Sequence, residues 1–194
     1  MNEKTLIIIK SDALQRNIVG DIIRRFERVG LKIVGAKMFI PTEELANQHY
    51  PKDREDFIKG MGQKTLDSYK DQGLDPIKLM GSDNPKKIGQ QIQKWLVDSL
   101  VSSPVYAMVL EGPHAVEIGR KIVGFTLPAK ADPGTIRGDY SFDSSAFANT
   151  AGRPIRNLVH ASGDIKEAEF EINLWFEPEE LYEYDTIHHK HMTA

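Results

Sequence analysis

The 194-residue sequence contains no cysteine. That excludes a disulfide framework and a thiolate nucleophile, and it fits a reducing compartment. Long hydrophobic runs are also missing. The apolar run Leu6 to Ile9 stops at Lys10 and Asp12, too short for a signal-peptide core, and no later stretch approaches the ~20 apolar residues of a membrane span. The expectation is a cytoplasmic chain with no membrane partner. Charge of one sign is scarce as well: 25 basic residues face 28 acidic ones, for a net charge of −3. Bulk charge therefore holds no nucleic acid, and any bound phosphate must be met by local cations. Internal repeats and low-complexity tracts are absent. The length fits one domain, residues 1–194.

The apolar periodicities that are present alternate in type. Thr5 to Lys10 is a β-branched run of the kind buried on both sheet faces, and its end delivers Lys10. Ile18, Ile22, Ile23, Phe26 and Val29 recur at helical spacing before the stop at Gly30. Leu31 to Ile40 reads as a second strand. Thr42 then caps a short helix that carries His49 and Tyr50. From about 53 to 102 the chain turns polar, with two helical patterns near 53–71 and 85–101, an insertion-like pair. Val105 to Leu110 is a third strand and His114 to Val123 a helix. A long Gly/Pro loop runs to about Arg156, and a final helix-to-strand passage spans Ile165 through Glu171 to Phe176. The order is βαββαβ, an α+β ferredoxin-like antiparallel sheet with helices on one side.

Chemistry concentrates in Asp132-Pro-Gly-Thr-Ile-Arg-Gly-Asp139 and Asn157-Leu-Val-His-Ala-Ser162. Freed backbone, a guanidinium, hydroxyl groups and one imidazole suit a site that holds a polyphosphate and attacks its end. His160, placed in a loop, titrates near neutrality when unperturbed and so offers a neutral nucleophile. Glu171, on the approach to the last strand, is a carboxylate able to take one ring N–H and free the other nitrogen; which nitrogen stays open. Taken singly, Lys10, Arg120 and Arg137 read as solvated surface charges and Thr126 and Asn157 as loop residues. The tail His188-His-Lys-His191 reads as a solvated terminus.

Together these segments resemble the nucleoside diphosphate kinases. The likeness runs through Thr5 to Ala13, Val19 to Phe26, Gln48-His-Tyr50, Val105 to Gly112, Pro133 to Asp139, Asn157 to His160 and Glu171 to Glu180. It implies His160 as a phosphorylated nucleophile, oriented by Glu171 with Ser162 beside the pair and Lys10 at the reacting phosphate. Lys10, Tyr50, Arg120, Thr126, Arg137 and Asn157 would line the nucleotide's phosphates and ribose. The implied reaction has two half-steps: a nucleoside triphosphate such as ATP phosphorylates His160, and a nucleoside diphosphate removes the group. Mg²⁺ would ride on the phosphates and need no protein cage, so no metal-ligating residue is assigned. Members are homo-oligomers, hexamers or tetramers.

This sequence departs from the family pattern in four places. Ser11 follows the lysine where proline is usual. Ala161-Ser-Gly-Asp164 replaces Gly-Ser-Asp-Ser, a mild change only where the backbone needs no positive φ. The loop at 140–154 is lengthened. The side chain that stacks on the base falls in the inserted helices, where Phe57, Ile92 and Trp95 are the candidates. Two other functions remain to be separated from the kinase: nucleotide binding without transfer, and RNA binding on the sheet. The intact charged set argues against the first. Strands rich in Ile, Val and Leu argue against the second.

Overall fold

The computed structural model describes residues 2–193. Four strands, β1 (Asn2–Ile9), β2 (Lys32–Phe39), β3 (Val105–Pro113) and β4 (Val159–Ala161), form one antiparallel sheet in the order β2-β3-β1-β4. β1 pairs with β3 along its whole length, Ile7 opposite Met108, and takes β4 on its other side, Ile8 opposite His160. This is the ferredoxin-like arrangement. Its two crossovers are α2 (Val19–Glu27), after the one-turn α1 (Ser11–Leu14), and α7 (Ala115–Val123).

β1 explains why its sequence lacks polar alternation. Ile7 and Ile9 pack with Ile22 and Phe26 of α2 and Val123 of α7. Leu6 and Ile8 point the opposite way. They meet α3 (Glu43–His49), α6 (Pro85–Val101) and α10 (Ile165–Trp175) through Ala46, Val97, Ile172 and Trp175. Helices therefore cover the second face too, in addition to the crossover pair on the first. A run of four fully buried residues, Leu6 to Ile9, is the consequence.

Between α3 and β3 lie α4 (Glu55–Asp71), α5 (Pro76–Met80) and α6. The short α5, stopped by Gly81 in the left-handed region, is not visible as a periodic pattern. Asn84 starts α6 by accepting from the Lys86 and Lys87 N–H groups at 2.9 and 3.2 Å, ahead of Pro85 at the first helical position. α4 and α6 touch backbone to backbone: a Cβ on Gly62 would sit 1.8 Å from the Pro85 carbonyl oxygen, and one on Gly89 1.9 Å from that of Ile58. Only glycine allows that approach.

Three expectations are corrected. The segment from 124 to 156 is not a plain loop; it holds a 3₁₀ turn at Pro128–Lys130, α8 (Ile136–Tyr140) and α9 (Ser145–Thr150). His160 lies on β4 and not in a loop. The last strand precedes the Glu171 segment, which is helical throughout: Asp164 accepts from the Glu167 N–H at 2.8 Å, and Ala168, Ile172 and Trp175 are buried at helical spacing. A three-residue strand is too short to display alternation, so β4 is defined by its partner β1 instead. The tail forms α11 (Ile187–Thr193); the side chain of His189 lies outside the described residues.

Candidate active site

β4 sets His160 opposite Ile8, toward the face covered by α10, where one inward position is Glu171. The two side chains meet. His160 Nε2 lies 2.8 Å from one carboxylate oxygen of Glu171 and 3.0 Å from the other. Ser162 Oγ donates to Glu171 Oε2 at 2.6 Å and accepts from the Leu6 N–H at 3.2 Å. Glu171 and Ser162 are buried; the His160 side chain keeps 18 % of its surface. The ring is therefore pinned through Nε2, and Nδ1 is the nitrogen left for chemistry.

One member of this cluster was not singled out in the sequence. His49, the last residue of α3, packs its ring edge-on 4.6 Å from that of His160. Its Nδ1 accepts from Trp175 Nε1–H at 3.3 Å and lies 3.5 Å from Glu171 Oε1, and its buried Nε2 has no hydrogen-bond partner among the described residues. The Gln48-His-Tyr50 segment carried the signal, but an i, i+1 pair does not tell which side chain faces inward. Both do: Tyr50 is buried with its ring 4.5 Å from that of His49.

Lys10 follows the last residue of β1 and stands at the N-cap of α1. Its Nζ donates to Asn157 Oδ1 at 2.8 Å, and the Asn157 amide donates in turn to the Thr126 carbonyl at 3.1 Å. The two arginines differ. Arg137 is buried in α8 and gives Nε to the Asn157 carbonyl (3.1 Å), Nη1 to that of Gly124 (2.8 Å) and Nη2 to that of Val159 (2.5 Å), so it clamps β4 to the loop. Arg120 is exposed and makes one long bond, 3.4 Å, to the Ala161 carbonyl. Its guanidinium remains open to an incoming anion. Leu158, at φ +68, is held in the left-handed region by Asp12, which accepts its N–H at 3.0 Å, and by Lys10, whose N–H reaches its carbonyl at 2.8 Å. Ala161 is an ordinary strand residue, so alanine costs nothing there.

Electrostatics follow from this crowding. Desolvation, with the Lys10, Arg137 and Arg120 charges nearby, holds His160 well below the usual imidazole range. Burial and the His160 ring do the same for His49. Both rings are neutral at physiological pH. Burial lowers Lys10 to about 8, against the attraction of Asp12. Desolvation pushes Glu171 up, offset by His49 and by the Ser162 hydrogen bond. His49, His160 and Glu171 also form a two-imidazole, one-carboxylate group with ligand atoms within 4.8 Å of one another. Magnesium, which takes oxygen ligands, does not suit that set.

Two cavities open beside these residues. One, about 390 Å³, is lined by Lys10, Tyr50, Asp98, Arg153 and Arg156. The other, about 380 Å³, runs from Thr126 and Asn157 to Met61 of α4 and Ile92 of α6. Trp95, Leu96, Pro154 and Ile155 are common to both. Of the three base-stacking candidates, Ile92 and Trp95 face the second cavity. Phe57 instead packs into the core behind Tyr50, under the Arg54 guanidinium.

Comparison with known proteins agrees with this geometry. The nucleoside diphosphate kinase family matches residues 3–63 and 79–181, leaving out the end of α4 and α5. A nucleoside diphosphate kinase of Pyrobaculum aerophilum is 49 % identical over 181 residues, 93 % of this chain and 98 % of that one. The crystal structure of an NDP kinase from the same organism superposes with a TM-score of 0.88 at 48 % identity, covering 94 % of this chain and all of that one. A transition-state mimic of the Borrelia burgdorferi enzyme, with vanadate and ADP bound, gives a TM-score of 0.75 at 35 % identity over 96 % of this chain and 94 % of that one. A neutral histidine braced by a buried carboxylate, beside cations that face open space, sits in a chain that these matches cover almost end to end: the protein belongs to the nucleoside diphosphate kinase family.

Proposed function

We propose that His160 is the nucleophile through which this phosphotransferase passes the terminal phosphoryl group from a nucleoside triphosphate to a nucleoside diphosphate. The observation that carries the reading is the Nε2 contact with both oxygens of Glu171. In the neutral ring the proton sits on Nε2 and donates to the carboxylate, and the Nδ1 lone pair is free. Nδ1 attacks the γ-phosphorus, the bond from phosphorus to the bridging oxygen breaks, and the nucleoside diphosphate leaves. The phosphorylated ring carries positive charge, which the Glu171 carboxylate offsets. An acceptor diphosphate then attacks the same phosphorus, and His160 returns to its neutral form.

The remaining residues position charge. Lys10 is placed to meet an oxygen of the transferring group; Arg120 supplies free donors to the phosphates, with Thr126 beside it. Asn157 holds Lys10 and reaches toward the ribose. Arg137 acts by fixing β4 and the Asn157 backbone, and Tyr50 closes one wall. Mg²⁺ bound through the nucleotide phosphates neutralises charge on them, a role that the oxygen-poor His49, His160 and Glu171 group does not duplicate.

We also read the chain as a single domain in which residues 53–102 and 140–154 add a wall to the nucleotide site. It is read as a cytoplasmic homo-oligomer, hexamer or tetramer. β2 is a sheet edge with Met38 exposed on it, the kind of surface that a second copy covers. No helix among the described residues is long and apolar enough to cross a membrane.

The test is incubation with γ-labelled ATP and Mg²⁺, then a chase with unlabelled GDP. The native chain takes up acid-labile, base-stable label and hands it to GDP; His160→Ala does neither. A native protein that binds nucleotide without ever carrying label is a binding protein, and the proposal fails.

A further inference from the structure

Two residues before His160 the backbone takes a form that leucine rarely adopts. Leu158 has φ +68, and the Val159 N–H donates back across it to the Asn157 carbonyl at 2.7 Å. A hydrogen bond closed over three residues around a positive φ is a γ-turn of the rare, strained hand. Glycine would take it freely, but the side chain is in use: Leu158 is 1 % exposed and belongs to the core that holds Ile9, Ala13 and Ile136. The strain is therefore offset by groups outside the turn. Arg137 donates to the carbonyls of Asn157 and Val159 on either side, and the Lys10 N–H serves the Leu158 carbonyl at 2.8 Å. That leaves the Leu158 N–H, which donates to Asp12 Oδ2 at 3.0 Å. The Asp12 carboxylate is half-buried and accepts no other hydrogen bond among the described residues.

We propose that Asp12 is a positioning residue for phosphoryl transfer: by holding Leu158 in the strained turn, it sets the placement of His160 relative to Asn157 and the Lys10 ammonium. The inference rests on the function proposed above, in which His160 and Lys10 act on the same phosphoryl group. Asn157 stands on one side of the turn and binds Lys10 Nζ at 2.8 Å; Val159 and His160 stand on the other, paired to β1. Relaxation of Leu158 to a negative φ would rotate one side against the other and carry the lysine's anchor away from the line of attack of the imidazole. A bond from an N–H to an ionised carboxylate is stronger than one to a neutral acceptor, so Asp12 is suited to oppose that relaxation. It acts through Leu158, whose own side chain serves the core and not the reaction.

The experiment is rapid-quench phosphorylation of the whole protein by ATP and Mg²⁺, followed against ATP concentration so that limiting rate and half-saturating concentration are read separately. Asp12→Ala lowers the limiting rate about tenfold or more and moves the half-saturating concentration by less than about threefold, the pattern of misplaced reacting groups. Asp12→Asn, whose side-chain oxygen still accepts the Leu158 N–H, stays within about threefold of the native rate. A double-mutant cycle with Leu158→Gly is the decisive arm. Glycine takes a positive φ without strain, so in that background Asp12→Ala costs less than about threefold, whatever rate the glycine itself sets. Where the glycine background does not fold, Leu158→Asn, which also tolerates the left-handed region, supplies the same comparison. A native limiting rate in Asp12→Ala, an asparagine variant as slow as the alanine one, or a cost that persists undiminished in the Leu158 background overturns the inference. A native protein that never takes up phosphate overturns the function proposed above instead, so the two failures are distinct.

Discussion

Around β4 and α10, polar side chains bind one another, with only the buried His49 Nε2 left without a partner in this cluster among the described residues: Glu171 binds His160 and Ser162, Trp175 binds His49, and Arg137 serves three carbonyls. Along α4 and α6 the same chain leaves two cavities and joins its helices through bare glycine backbone. The first region is fixed by hydrogen bonds whose geometry tolerates little change. The second is held mainly by close backbone contact, with an exposed Lys86–Glu55 ion pair at 3.0 Å, and has room left in it. Under the proposed function the first region holds the reacting groups and the second a wall of the nucleotide site, so a substitution in the first is expected to alter rate and one in the second affinity.

The largest expected effect comes from the rigid region. Glu171→Gln keeps the volume but places an amide where a carboxylate was, and an amide N–H facing Nε2 favours the tautomer that protonates Nδ1. Rapid-quench measurement of phosphoenzyme formation should show a loss of about 10²-fold or more at saturating ATP. ATP affinity, measured by calorimetry on the unreacted protein, should change by less than about threefold. A variant that phosphorylates at near-native rate would remove Glu171 from the mechanism and break the comparison at its first term.

A smaller effect should follow in the wall. On Gly62→Ala the new methyl would lie 1.8 Å from the Pro85 carbonyl oxygen, and backbone on both sides leaves nothing flexible to yield. α4 must move away from α6, at a cost of about 1–3 kcal/mol in stability. The apolar cavity widens, and the KM for nucleotide should rise about tenfold while the limiting rate of phosphoenzyme formation holds within about twofold. Loss of limiting rate instead would mean that the wall supports the reacting groups directly, and the two regions would be one.

The same contrast governs what the sequence discloses. His160 and Glu171 were legible as an imidazole and a carboxylate able to meet, Ser162 beside them only through the family resemblance, and the structure brings the three into contact. β1, α2, β3 and α7 were legible from period alone. β4 was not: three residues whose pairing is decided by β1, far away in sequence, leave no local pattern. His49 stayed hidden for a related reason. Its importance lies in packing against His160 and Trp175, contacts that span more than 100 positions. Arg137 read as a loop cation, and only the carbonyls of Gly124, Asn157 and Val159 around it reveal a clamp. The helices on the second face were not read, since the sequence reading put helices on one side of the sheet, although the unbroken apolar run of β1 already required both faces to be covered.

The smallest expected effect is one of pH, and it tests the rigid region from the side of charge. Burial lowers Lys10 to about 8, so the free enzyme loses this cation just above neutrality. Between pH 7 and 8.5 the charged fraction falls about fourfold, and kcat/KM, which reports free enzyme, should fall in step. Bound phosphate raises the lysine again, so kcat should change less over the same range. Lowering the pH from 7.5 to 6 should bring no matching loss, because His160 remains neutral where an ordinary imidazole takes up its proton. Stability follows the opposite course to kcat/KM on the alkaline side. A lysine whose folded value is depressed binds fewer protons folded than unfolded between about 8 and its ordinary value of 10.5, so that contribution to stability increases as pH rises through the window. Lys10→Arg, weaker in transfer at every pH, should lose the inflection near 8 because guanidinium stays charged throughout. An inflection that persists in the arginine variant would assign it to another group and would leave the charge at the end of β1 without a part in binding.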